Sequence, residues 1–412
     1  MNDAISIKEI KVGLQFTEDI LPVGRLAFRE GVIYFEYDAS FIKSNLALSP
    51  FRLPLQPGIK KCDDRLFEGL PGVFNDSLPD GWGRLLFDRF IRTQGILPID
   101  ITPLDRLAHV GRNGLGALVY EPDYSADDVQ EPVRLDELAR RAWDVLEGQA
   151  DDVLEELIAL NGSSCGARPK ALIGVNNNFD HIIHGVHDLG AGYTPWIVKF
   201  ANMQDGDDAG AIEYVYALMA KQAGINIPPV YLFKAQTGAG YFAIKRFDRI
   251  GSQRLHMHTV CGLLHSDHRT PSLDYEDLAA LTLNLTRDIR EVEKLYQLAV
   301  FNVLAYNRDD HSKNFSFLMN EAGEWTISPA YDLTFSSGPR GEHSTLVMGE
   351  GRNPGLGHLR ALAKEARIDE RRAENIIHQT CDVLSNWEEL ASHYGVSASN
   401  ITLIRSKMQG KD

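Results

Sequence analysis

The 412-residue sequence holds only four cysteines, Cys62, Cys165, Cys261 and Cys381, and no two of them form a C-x-x-C pair. A disulfide scaffold and a cysteine zinc site are therefore not expected, and a reducing compartment is the simpler reading. Nowhere do about 18 apolar residues run together, so no bilayer-spanning helix is expected. The opening MNDAISIKEIKVG lacks a basic segment followed by an apolar one, which together with the cysteine pattern points to the cytoplasm. Positive charge is not in excess either. A formal net charge of -15 speaks against holding nucleic acid directly by phosphate neutralisation, and suits a basic protein partner instead. No internal period and no low-complexity tract is visible, so a repeat architecture is not expected.

What is present is an ordinary globular composition, 44% hydrophobic and 24% charged, long enough for two or three domains. From residue 1 to about 125 the text is rich in short β-like runs and turns. VGRLAFREGVIYFEYD alternates around Glu30 and Gly31 as a hairpin does, and SLPDGWGRLLFDRFIR reads as an Asp-Gly turn followed by a helix. The acidic, turn-rich residues 122–135 mark a boundary, and residues 135–160 have the apolar spacing of a helix. TPWIVKFA then reads as a strand, GAIEYVYALMAKQAGI as a helix and PPVYLFKAQTGAGYFAIKRFDR as two strands. Helices dominate beyond about residue 255.

One stretch breaks this pattern. LAVFNVLAYNRDDHSKNFSF places eight polar residues, Asn307 to Asn314, between an apolar helix and a run of β-formers. Asp309 and Asn314 have the D-x-x-x-x-N spacing of a protein-kinase catalytic loop, in which the aspartate accepts the substrate hydroxyl proton and the asparagine binds magnesium. Downstream, Asp332 in SPAYDLTF offers a second hard oxygen ligand; taken alone it reads as a turn residue after Pro329. Upstream, Lys199 is a charge inside an apolar strand, an expensive placement unless the charge is paired or used. Glu213 opens the next helix, giving the kinase order of strand lysine and helix glutamate, although an exposed first-turn acid fits equally. The segment Gly162 to Lys170 is not a Walker P-loop. Its small residues Ser164, Gly166 and Ala167 could still present backbone amides to phosphates, with Arg168 and Lys170 supplying charge.

Taken together, the blocks NRDDHSKNFSF, SPAYDL, SSCGARPKALI, WIVKF and KRFDR, with VGRLAF, FEGLPGVFNDSLPDGWGR and VGRNGLGALVYEP ahead of them, resemble the HipA-type serine/threonine kinases, toxins of bacterial toxin–antitoxin pairs. The resemblance implies an α+β, kinase-like bilobal fold. It divides the chain into an N-terminal α/β subdomain (1–125), a mixed N-lobe with Gly-rich loop and hinge (126–250) and an all-helical C-lobe (251–412). It implies ATP and Mg2+ as cofactors. Asp309 becomes the catalytic base, completed by His311 and Lys313, with Asn314 and Asp332 holding magnesium. Lys199, supported by Glu213, is assigned to the ATP phosphates, and the hinge around Lys245, Phe247 and Asp248 to adenine. Ser163 or Ser164 is the expected site of self-phosphorylation. The partners implied are a basic DNA-binding antitoxin of the HipB type and a protein substrate, an aminoacyl-tRNA synthetase by class, with no membrane involved. A small-molecule kinase, a non-catalytic co-repressor and an ATP-binding scaffold are the competing readings.

The sequence departs from the family in places. Lys245 stands where relatives often carry an acid, and GARPKA differs from the loop of the best-known members. His256-Met257-His258 replaces an acidic segment, and the spacing of His256, His258, His265 and His268 does not suggest zinc.

Overall fold

Alternation builds the first sheet. Ile10, Val12 and Leu14 are buried side chains of β1 (Glu9–Gln15), and β2 (Ile20–Arg29) and β3 (Val32–Tyr37) bury Val23, Leu26, Phe35 and Tyr37. The hairpin expected at Glu30 and Gly31 joins β2 to β3, with Arg29 paired to Val32. With β4 (Lys60–Cys62) and β5 (Leu118–Glu121) they form an antiparallel sheet in the order β4-β3-β2-β1-β5. The helix Pro103–Val110, started by a capping box between Thr102 and Asp105, packs against β1 and β2. These observations come from a computed structural model that describes residues 7–62, 65–125, 132–148, 154–161, 166–185, 189–202 and 205–408.

A second antiparallel sheet, in the order β7-β6-β8-β10-β9, is made of β6 (Lys170–Asn176), β7 (Ile182–His184), β8 (Tyr193–Lys199), β9 (Val230–Phe233) and β10 (Tyr241–Lys245). One of its faces packs Ile173, Val175, Trp196 and Val198 against Leu138, Val145 and Leu157. Trp82 and Leu86, from the helix Gly81–Thr93 of the first region, join that same cluster across the expected boundary. The opposite face lies on the helix Ala209–Gln222. The single helix expected over 135–160 is two: Leu135–Glu147 ends where Gly148 turns left-handed at φ 79, and Leu154–Asn161 follows. Glycine takes that conformation freely and so terminates the first helix.

The last part of the chain is mainly helical, with Tyr275–Thr286, Ile289–Leu304, Glu370–Leu384 and Ala398–Met408 as its longest helices. It is not helical throughout, as the expectation had it. Strands His256–Thr259, Ser316–Met319 and Trp325–Ile327 form a three-stranded sheet. The β-formers after Asn314 supply its centre. That strand follows the C-terminal end of the polar stretch, and the helix Ile289–Leu304 precedes its start. A continuous apolar core runs from Ile10 and Phe35 in the first sheet to Val215, Phe301 and Trp387. Among the described residues no helix is long and apolar enough to cross a membrane.

Candidate active site

In the second sheet Lys170 of β6 lies directly opposite Lys199 of β8. Two like charges facing each other across a ladder are unfavourable unless anions neutralise them. Carboxylates do so here. Lys199 Nζ donates to Glu213 Oε1 at 2.5 Å and to Asp332 Oδ1 at 2.6 Å. Arg168 adds an ion pair with Asp205 at 3.0 Å and approaches Glu213 at 3.5 Å. Glu213 is thus a buried partner of Lys199, not an exposed first-turn acid. Burial pushes the Lys199 ammonium down, but Asp332 and Glu213 outweigh it and hold its pKa above the usual lysine value. Burial likewise opposes ionisation of Asp332, and Lys199, Lys170 and Arg168 overcome it, leaving its carboxyl well below the usual range. Lys199 and Asp332 thus hold each other charged.

The polar stretch forms the opposite wall. The helix Ile289–Leu304 ends at Ala305, and a left-handed Tyr306 (φ 59) turns the chain into Asn307. Asn307 is fixed to Asn302 through both its backbone and its side chain. The two neighbouring aspartates then part ways. Asp310 is buried and its carboxylate accepts four hydrogen bonds: from Tyr275 Oη and His343 Nδ1 at 2.9 Å, and from the Ser344 and Thr345 amides at 2.9 and 3.2 Å. With Arg308, which donates to the carbonyls of Gly341 and Arg352, it anchors the segment after Asp332 to this loop. Asp309 turns the other way. Among the described residues its carboxylate makes no hydrogen bond, and His311 Nε2 is 3.9 Å from it. Desolvation in the cleft, with the charges of Asp332 and Asp310, raises its pKa above the ordinary carboxylate value against the pull of His311. Asn314 Nδ2 donates to the Asp309 carbonyl at 2.7 Å, which turns the amide oxygen away from that bond. Tyr331 Oη donates to the Lys313 carbonyl at 2.6 Å and so fastens Asp332 beside the loop.

The structure therefore brings Lys199, Glu213 and Asp332 into direct contact, with Lys170 and Arg168 close enough for their charge to act on Asp332 and with Asp309 sensing that acid. Phe247 packs its ring 5.6 Å from that of Tyr331, next to Asp332. Lys245 uses its amide on the Pro229 carbonyl. Asp248 is not part of the cluster. Its carboxylate is taken up by Arg246, Arg249 and the Gly116 amide. Gly166 and Ala167 are described, whereas Ser163 and Ser164 lie outside the described residues. The histidines scatter: His256 bonds the Leu48 carbonyl, His258 bonds Asp76 and Ser49, and His265 accepts from the Gly72 amide. His268 places its ring 5.5 Å from that of His311.

Two residues escaped the sequence reading. Asp205 follows no motif, and Asp80, seen only as a turn residue, bonds Lys313 from 233 positions away. No local signal announces either one. The arrangement offers fixed cations, a carboxylate bonded to one of them, a partly desolvated base and a carboxamide tied to the backbone of that base. Among the described residues no group of three His, Cys, Asp or Glu side chains suits a metal by itself. An Asp–Asn pair is what magnesium uses when a phosphate supplies the remaining oxygens.

Comparison with known proteins gives a consistent result. The family model described as "HipA-like C-terminal domain" matches residues 162–387, and that described as "HipA N-terminal domain" matches residues 17–121. A HipA from Shewanella oneidensis, solved with HipB and operator DNA, superposes with a TM-score of 0.70 at 16% identity, covering 97% of this chain and 95% of that one. Two Sinorhizobium fredii proteins described as proposed kinases are also similar: Y4mE at 24% identity over 47% of this chain, and Y4dM at 28% over 34%. The chain spans 50% of the first relative and 36% of the second.

Proposed function

The chain belongs to the HipA family, and from that premise we propose that it is an ATP-dependent serine/threonine protein kinase, the toxin of a toxin–antitoxin pair. The observation that carries this reading is the charged cluster of Lys199, Glu213 and Asp332, close enough to Asp309 for the charge of Asp332 to raise its pKa. In the reaction, the bond between the terminal phosphorus of ATP and its bridging oxygen breaks as the substrate hydroxyl oxygen bonds to that phosphorus. The hydroxyl proton passes to Asp309, and ADP leaves. Lys199, held by Glu213, positions the phosphates, and Lys313 sits beside the group being transferred. Asn314 and Asp332 would hold magnesium, which when bound would supply positive charge to the phosphate oxygens. The raised pKa of Asp309 makes it a stronger base than an ordinary carboxylate. The substrate class is an aminoacyl-tRNA synthetase, and Ser163 or Ser164 receives phosphate in self-modification. The partner is a small basic DNA-binding antitoxin, to which a chain of net charge -15 is complementary.

Incubation of the purified protein with magnesium and ATP, followed by phosphate mapping, tests the reading beside Asp309→Ala. Phosphate on Ser163 or Ser164 in the wild type alone supports it; equal labelling of the variant would sink it. The pH profile gives a second check. Activity falls as acidity protonates Asp309, and His311 is the neighbour that lowers its pKa. In His311→Gln the acidic limb of kcat/KM is therefore expected to move to higher pH. A limb that stays in place would separate His311 from the base.

A further inference from the structure

Two groups assigned above to the phosphates are bonded to the same carboxylate, and it comes from the N-terminal subdomain. Asp80 accepts from the Gly166 amide through one oxygen and from Lys313 Nζ through the other. It stands at the start of the helix Gly81–Thr93 without capping it, so its carboxylate is not committed to its own helix. Gly81 makes the close approach feasible: at φ 44, a Cβ there would come 2.6 Å from the Gly166 carbonyl oxygen. The Trp82 amide donates to that carbonyl at 3.1 Å, so the turn holds Gly166 on both sides of its residue. Lys313 and Lys170 overcome the burial of Asp80 and keep it ionised.

An amide of a glycine-rich segment and a lysine ammonium are what a phosphoryl oxygen binds. The cleft already sets five carboxylates, Asp80, Asp205, Glu213, Asp309 and Asp332, against Arg168, Lys170, Lys199 and Lys313. A polyphosphate brings more negative charge, and one acid has to give way. Glu213 is buried between Lys199 and Arg168, and Asp332 is the acid proposed above for magnesium. Asp80 is more exposed than Glu213, its side chain 26% accessible, and its two partners are groups the phosphate itself needs. We propose that Asp80 is a plug from the N-terminal subdomain that competes with a phosphate for the Gly166 amide and Lys313 and is displaced when nucleotide binds. Movement of the helix Gly81–Thr93 would then tune nucleotide affinity from outside the kinase lobes.

The inference rests on the nucleotide-binding reading, and one titration separates the two. Mg·ATP and, separately, adenosine are titrated calorimetrically into the full chain as wild type, Asp80→Asn and Asp80→Ala, with melting curves recorded for each. Asparagine keeps the shape and can still accept from the Gly166 amide. Removing a competing state tightens apparent binding by the fraction it had withheld, here about tenfold for Mg·ATP with adenosine unchanged. Unchanged or weaker Mg·ATP binding by the folded variants overturns the plug and leaves Asp80 as a support for Lys313. If wild type binds neither ligand, the nucleotide reading itself fails, and the plug falls with it.

Discussion

Asp309→Ala is expected to lower phosphoryl transfer by about three orders of magnitude, the scale of a lost general base, while the melting temperature stays within a degree or two of wild type. The two adjacent aspartates explain why both halves of this expectation hold. The Asp310 carboxylate accepts four hydrogen bonds in a buried pocket, so truncating it would strand a tyrosine, a histidine and two backbone amides. The Asp309 carboxylate accepts none among the described residues, is largely exposed, and feels repulsion from Asp332. A carboxylate kept beside like charge, with no structural bond in return, is what a site tuned for proton transfer looks like. Single-turnover transfer of radiolabel from ATP measures the first half and a thermal melt the second. Transfer at the wild-type rate would remove Asp309 from the mechanism; a large loss of stability would make it a structural residue like its neighbour.

The second large effect lies away from the chemistry. Asp248→Ala is expected to destabilise the protein by about 3–5 kcal/mol, because it strands Arg246 and Arg249 in the interior. Arg246 Nη2 and Arg249 Nη1 reach the carboxylate at 2.7 and 2.6 Å, the Gly116 amide reaches it at 2.8 Å, and the same arginines bond the Gly114 and Gly116 carbonyls. Arg246 and Arg249 overcome the burial of Asp248 and hold its pKa well below the carboxylate range. Its folded value lies below its unfolded one, so its contribution is complete above the unfolded pKa of about 3.9 and fades as pH falls below it. The stability gap between wild type and variant should accordingly be full at neutral pH and narrow in acid. Urea unfolding at the two pH values measures this. A variant of normal stability that fails to bind ATP would restore Asp248 to the adenine hinge.

These two residues mark how far the sequence could be read. Lys199, Glu213, Asp309 and Asn314 announce themselves by local means: a charge in an apolar strand, an acid on the following helix, and a polar loop between helix and strand. The strand and helix periods around them are equally local, so Tyr193–Lys199 and Ala209–Gln222 fall where the spacing predicts. The role of Asp248 depends on a loop 132 positions earlier, and Asp80 on a lysine 233 positions later. The facing of Lys170 and Lys199 is a matter of strand register, which is set by pairing across the sheet and not by either strand alone. The break at Gly148 was visible as a glycine, but a helical period on both sides of it masked its left-handed turn.

Trp82 and Leu86 complete the packing of a sheet whose strands begin at residue 170, so the boundary near residue 125 separates stretches of sequence without separating folding units. A fragment beginning beyond that boundary would leave an apolar hollow beside Val145 and Leu157, open to water and to other chains. The first sheet, for its part, shares a continuous interior with the helices that carry Val215 and Phe301. Melting should then be cooperative across the whole chain, and a substitution in either part should shift one common transition. Proteolysis at the turn-rich connection would yield pieces that stay associated until denaturant is added.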